Sequence, residues 1–158
     1  MLPLVVAPAL LLSFTQKADP INLSGQWKLN ESKSELGDFG ARLAPKSIKV
    51  DQKADAITIE RHVTTFNGEE ATRTETLTFD GKITEGAGGF GNAVRKSSAK
   101  WSDDGKKMIV NYSISFQDNE FKGTETWSLS DDGKTLSLET NSSGPQGDIT
   151  TKAVYDKQ

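Results

Sequence analysis

From Ser47 onward the chain alternates apolar and polar residues almost without a break, and that two-residue period limits its possible folds more than any motif does. Successive side chains of a strand point to opposite faces, so such a chain lays one set on a core and leaves the other in water. Ile57, Ile59, Arg61 and Val63 form one such face, against Thr58, Glu60, His62 and Thr64. Met108, Val110, Tyr112, Ile114 and Phe116 stand in the same way against Ile109, Asn111, Ser113 and Ser115. Further core-facing sets are Ile48, Val50 and Gln52, then Arg73, Glu75, Leu77 and Phe79, then Phe121, Gly123, Glu125, Trp127 and Leu129. Leu136 and Leu138, followed by Ile149, Thr151, Ala153 and Tyr155, complete the pattern. Turn residues recur about every eight to twelve positions, with Asp-Gly pairs at Asp80-Gly81, Asp104-Gly105 and Asp132-Gly133. The predicted fold is all-β, an antiparallel up-and-down β-barrel of about 8–10 strands.

An even number of alternating strands returns the last beside the first, so the sheet is expected to close and leave no exposed edge. The three Asp-Gly turns then fall at one end, together with Trp27, Trp101 and Trp127, as a closed floor. Closure also sets Tyr155 or Lys157 near Trp27. Residues 31–45 interrupt the pattern with Gly37, Gly40 and Pro45 but also Leu36, Phe39 and Leu43, and read as one helical turn or a loop.

At 158 residues the chain has the length of one domain. Hydrophobic content of 34% and a mean hydropathy of -0.53 suit strands with one wet face. A formal net charge of -3 supplies no basic field for phosphate backbones, so no nucleic-acid partner is expected. The absence of cysteine rules out disulfides, thiolate metal sites and a catalytic thiol. Residues 1–15 form an apolar run too short to span a bilayer and read as a signal peptide, with small residues Ser13 and Thr15 permitting cleavage before Gln16. The expected location is secreted or periplasmic, with no membrane span. Residues 16–23 read as a polar lead-in holding Asp19-Pro20, and residues 24–158 as the barrel domain. Composition leaves the oligomeric state open.

Leu23-Ser24-Gly25-Gln26-Trp27-Lys28-Leu29, an insertion, and then a meander to the carboxyl terminus resemble the calycin superfamily of lipocalins, intracellular fatty-acid-binding proteins and avidins. More narrowly, the chain is similar to small secreted lipocalin-like proteins of bacteria. The shared residues are Trp27-Lys28-Leu29-Asn30 with Lys33-Ser34, the run from Trp127 through Asp131-Asp132-Gly133-Lys134, and Val154-Tyr155-Asp156-Lys157. The resemblance implies a lipocalin-like barrel that binds a small molecule inside. Two departures stand out. Lys157 alone is placed to cross the first-strand tryptophan, as a basic residue of lipocalins often does. The last strand carries Thr151-Lys152-Ala153 and Val154-Tyr155 where fatty-acid-binding proteins have Arg-x-Tyr for a carboxylate.

The charged residues on core-facing positions, Arg61, Arg73, Glu75, Arg95 and Glu125, carry the most chemical information. An ion inside a barrel costs several kcal/mol unless it is paired or wet, so the half opposite the tryptophans is either a salt-bridged filling or a hydrated pocket. In the second case surplus arginine and the Tyr112 hydroxyl orient a polar or anionic head, Phe116, Phe121 and Ile149 hold the apolar part, and Thr151 faces the same space. The expected function is therefore an exported, non-enzymatic barrel that binds a small amphipathic or hydrophobic ligand. One alternative is a cell-envelope interaction protein with a filled interior. Another is a calycin-type isomerase using Glu75 or Glu125 as base, which needs one glutamate unpaired and facing a cavity. The glycine-rich residues 86–92 lack the helix and the Lys-Ser/Thr of a phosphate loop and read as a loop at the barrel mouth. With His62 as the single histidine, neither a transition-metal centre nor a serine-histidine-acid triad is expected, and nothing calls for a cofactor.

Overall fold

Each alternating stretch forms a strand in the computed structural model, which describes residues 17–65 and 67–158. The segment read as a signal peptide lies outside the described residues. The strands are β1 (Gly25–Leu29), β2 (Ser47–Gln52), β3 (Ala56–Thr64), β4 (Glu70–Thr78), β5 (Thr84–Ala87), β6 (Val94–Trp101), β7 (Lys107–Phe116), β8 (Asn119–Leu129), β9 (Thr135–Gly144) and β10 (Gly147–Lys157). All ten belong to one antiparallel sheet in the order β4-β3-β2-β1-β10-β9-β8-β7-β6-β5. First and last strands pair as expected, with Trp27 opposite Lys157 and Leu29 opposite Tyr155. The Lys157 ammonium lies 5.5 Å from the centre of the Trp27 ring.

Closure is incomplete. β4 and β5 end the ladder on either side and share no strand pairing, so the expectation of a barrel without edges is corrected to a near-barrel with one seam. The Asp80 carboxylate accepts from Thr78 Oγ1 (2.6 Å) and the Lys82 amide (3.1 Å), as Asp104 and Asp132 do in the turns that lead into β7 and β9, but here residues 81–83 follow as irregular backbone before β5 begins at Thr84. β5 then has only four residues, of which Gly86 and Ala87 offer little to a cross-strand partner.

The closed end is built around Trp27 and Trp127, both fully buried, with Met108, Leu136, Ile57, Ile59 and Leu77. Trp101 packs at the edge of this cluster, its ring 5.4 Å from that of Phe79. The segment read as a polar lead-in is part of this floor. Ile21 donates its amide to Gly105 O (2.9 Å), Gln52 bonds both Leu23 N and Ile21 O, and the Leu23 carbonyl accepts the Trp27 indole N–H at 3.0 Å. Leu23 itself is 0% exposed. The chain passes so near Gly105 that a Cβ there would stand 2.7 Å from Asp19 O, and the glycine also holds φ +68°.

The insertion forms a short 3-10 turn at Glu31–Lys33 and a helix, α1, at Gly37–Leu43. It runs along β10, with Ser34 Oγ accepting the Val154 amide (2.8 Å) and Glu35 pairing with Lys152. α1 comes to rest over the open end because Gly40 lets it approach Thr151 closely, a Cβ at Gly40 falling 3.0 Å from Thr151 Cγ2.

Candidate functional site

Between the floor and α1 lies a cavity of about 610 Å³. β3, β4, β6 and β8 send Arg61, Glu75, Arg95 and Glu125 into its lower part, since all four occupy inward positions of the two-residue period. They meet as a ring. Arg61 donates to Glu75 through Nη1 and to Glu125 Oε2 through Nη2 at 2.8 Å. Arg95 Nη2 reaches Glu125 Oε1 at 2.9 Å, and its Nε lies 3.5 Å from Glu75 Oε2. Ser97 Oγ accepts from Arg95 Nε (3.0 Å), and Glu125 also takes the Trp127 indole N–H at 3.2 Å, which ties the ring to the floor. Two cations and two anions cancel, which answers the desolvation that any one of them would suffer alone.

Titration follows the same geometry. Burial pushes the Glu75 carboxyl up, but the Arg61 and Arg95 guanidiniums more than reverse this and hold it below the usual carboxylate value of 4.5. Burial likewise opposes the charge on Arg61, and Glu125 and Glu75 outweigh it, so that Arg61 stays a cation. Burial, then Glu125, push the Tyr112 phenol up, and burial does the same to Tyr155. Tyr155 lies at the cavity and donates to Pro45 O (3.1 Å), below the carboxyl end of α1.

Tyr112 lies flat on the wall. A Cβ at Gly123, its cross-strand partner, would fall 2.5 Å from the phenol ring and hydroxyl, so the missing side chain is the space the ring occupies. The Arg95 guanidinium stacks 4.1 Å above that ring. Thr140, Ser142 and Thr151 add hydroxyls, while Leu36, Leu43, Val63, Ile114, Leu138, Ile149 and Ala153 form an apolar upper wall. Arg73 also faces the cavity, donating through Nη2 to the Gly89 carbonyl across the seam.

Eight residues singled out from the sequence thus line one cavity: Arg61, Arg73, Glu75, Arg95, Tyr112, Glu125, Ile149 and Thr151. Phe116 and Phe121 are not among the lining residues. Phe116 packs edge-on against Phe90 (5.1 Å), and Phe121 lies where a Gly144 side chain would be. The apolar lining of the cavity is formed by Leu36, Leu43, Val63, Ile114 and Leu138, beside Ile149. Leu36 and Leu43 carry a signal, being apolar residues in an otherwise polar insertion. Ile114, Val63 and Leu138 stand on the inward period itself.

His62 lies on the outer face between Thr72 Oγ1 (3.1 Å) and Glu60 Oε1 (3.0 Å). Among the described residues no group of three or more His, Asp or Glu is placed to hold a metal ion. No described helix is long and apolar enough to cross a membrane.

Fold and site together define an all-β protein whose ten antiparallel up-and-down strands form a nearly closed barrel around an internal cavity. The chain is similar to the crystal structure of zebrafish ileal bile acid-binding protein complexed with cholic acid, with a TM-score of 0.52 and 20% identity over 85% of this chain and 98% of that one. At that identity the likeness shows the fold. No family model matches the sequence, and no curated protein matches it.

Proposed function

We propose that this protein is an exported, lipocalin-like carrier that holds one small amphipathic molecule in the barrel between the ion ring and α1. The observation that carries the reading is the amphipathic cavity of about 610 Å³, polar below at Arg61, Glu75, Arg95, Glu125 and Tyr112 and apolar above at Leu36, Leu43, Ile114 and Leu138. That division matches a ligand with a polar and an apolar part. The neighbouring fold was crystallised with cholic acid, itself a small amphipathic molecule, which supports the class. Export is supported by the apolar run at residues 1–15 and by the resemblance to small secreted bacterial proteins. An isomerase is the less favoured reading, because Glu75 and Glu125 each accept from arginine and neither is the free base that chemistry needs.

The test is native mass spectrometry of the purified protein against a panel of lipids and polar metabolites, with displacement of a bound fluorescent amphiphile as the second readout. A one-to-one adduct confined to the amphiphiles is the expected result. No adduct from any class, with the fluorophore unbound, contradicts the reading and favours a filled barrel that acts through its surface.

A further inference from the structure

The ring at the cavity floor is neutral, and one more cation faces the same space. Arg73 stands directly opposite Arg61 in the β3–β4 register, an arrangement of like charges that costs stability unless something answers it. Among the described residues no carboxylate pairs with Arg73. Its partner is the backbone carbonyl of Gly89. Glu85, also at the seam, is taken up by Lys96 at 3.1 Å. Burial, followed by the Arg61 and Arg95 charges, pushes the Arg73 guanidinium below its ordinary value, so its environment disfavours the cation it carries.

The Gly89 contact spans the one place where the sheet has no ladder. Gly89 adopts φ +105°, a conformation that L side chains rarely take, and lies close against the guanidinium, so a glycine suits this contact. A neutral carbonyl answers a guanidinium less well than an anion does, because charge-assisted and bidentate bonds are the stronger ones.

We propose that the cavity selects amphiphiles carrying one anionic group, a carboxylate, sulfate or sulfonate, and that this group binds Arg73 at the β4–β5 seam by displacing the Gly89 carbonyl. The head then sits at the side of the barrel and the tail runs beneath α1 along Leu36, Leu43, Ile114 and Leu138. Loading frees residues 86–92, so occupancy and the state of this loop are linked. This inference rests on the carrier reading above and adds the ligand's charge, its orientation and the anchoring residue.

Dodecanoate and dodecanol, equal in tail and different in head, separate the two levels. The expected result is that dodecanoate binds at least about tenfold more tightly than dodecanol, that Arg73→Gln removes most of that preference, and that Arg73→Lys restores part of it. A urea unfolding transition as cooperative as the parent's reports that each variant is folded. Hydrogen exchange at residues 86–92 is expected to rise with dodecanoate and not with dodecanol. Equal affinities for the two ligands, or a preference that survives Arg73→Gln, overturns the anchor and leaves the carrier reading standing. Failure of the parent protein to bind either ligand overturns both. Bound dodecanoate with unchanged exchange at residues 86–92 overturns the displacement of Gly89.

Discussion

At the residue scale, Glu125 and Trp27 carry the heaviest constraints. Glu125 is 7% exposed and accepts from Arg61, Arg95 and Trp127. Glu125→Gln leaves two largely buried guanidiniums facing one carboxylate, and is expected to cost about 3–5 kcal/mol, read from urea unfolding. Trp27→Ala removes a fully buried indole and its bond to Leu23, again for about 3–5 kcal/mol by the same measurement. A Trp27→Ala variant as stable as the parent contradicts the floor. The ring also fixes the acid response. Because the folded protein holds Glu75 below its ordinary 4.5, the native state keeps that proton off more readily than the unfolded chain does. The stabilisation is complete above about pH 4.5 and is lost as the pH falls through the folded value, so the urea midpoint is expected to be flat near neutrality and to drop in acid. The four ring members were legible in the sequence because period two alone places a charge inward. A salt-bridged filling was one of the two arrangements expected, but which charges pair was not legible, since the ring joins β3, β4, β6 and β8, whose separation in the chain no local pattern spans.

At the element scale, the lead-in and the seam show where reading by composition stopped. Asp19-Pro20 and the polar residues around it hid a strap whose Ile21 and Leu23 close the floor, because two apolar residues are too few to display a period. A chain beginning at Ser24 loses the buried Leu23 side chain and the acceptor of the Trp27 indole, for an expected loss of about 2–5 kcal/mol in thermal or urea unfolding. An unchanged midpoint would mean that the strap is dispensable. The ten strands and their order could be read from alternation and Asp-Gly turns. The missing β4–β5 ladder could not, because alternation specifies which face a residue takes and says nothing of whether a neighbouring strand is there to bond. Phe116 and Phe121 are absent from the cavity lining for a related reason. Both have inward parity, yet Gly91 and Gly144, on other segments, leave the spaces that their rings occupy.

At the scale of the whole molecule, the barrel divides into a sealed half that supplies stability and an open half that is free to hold a guest. Gly123 joins the two, since its bare Cα lets Tyr112 lie against the wall under Arg95. Gly123→Ala is expected to push that ring into the cavity, costing about 1–3 kcal/mol from overpacking and weakening amphiphile binding more than the loss of stability explains. The most direct measurement of the central claim is a titration of the labelled protein with dodecanoate followed by amide nuclear magnetic resonance. Saturation at one equivalent, with shifts at Tyr112, Thr140, Thr151 and the residues of α1 and with the closed-end turns at Ser102 and Ser130 unmoved, is the expected outcome. Shifts confined to the outer face, or none up to the solubility of the ligand, would contradict a guest inside the barrel.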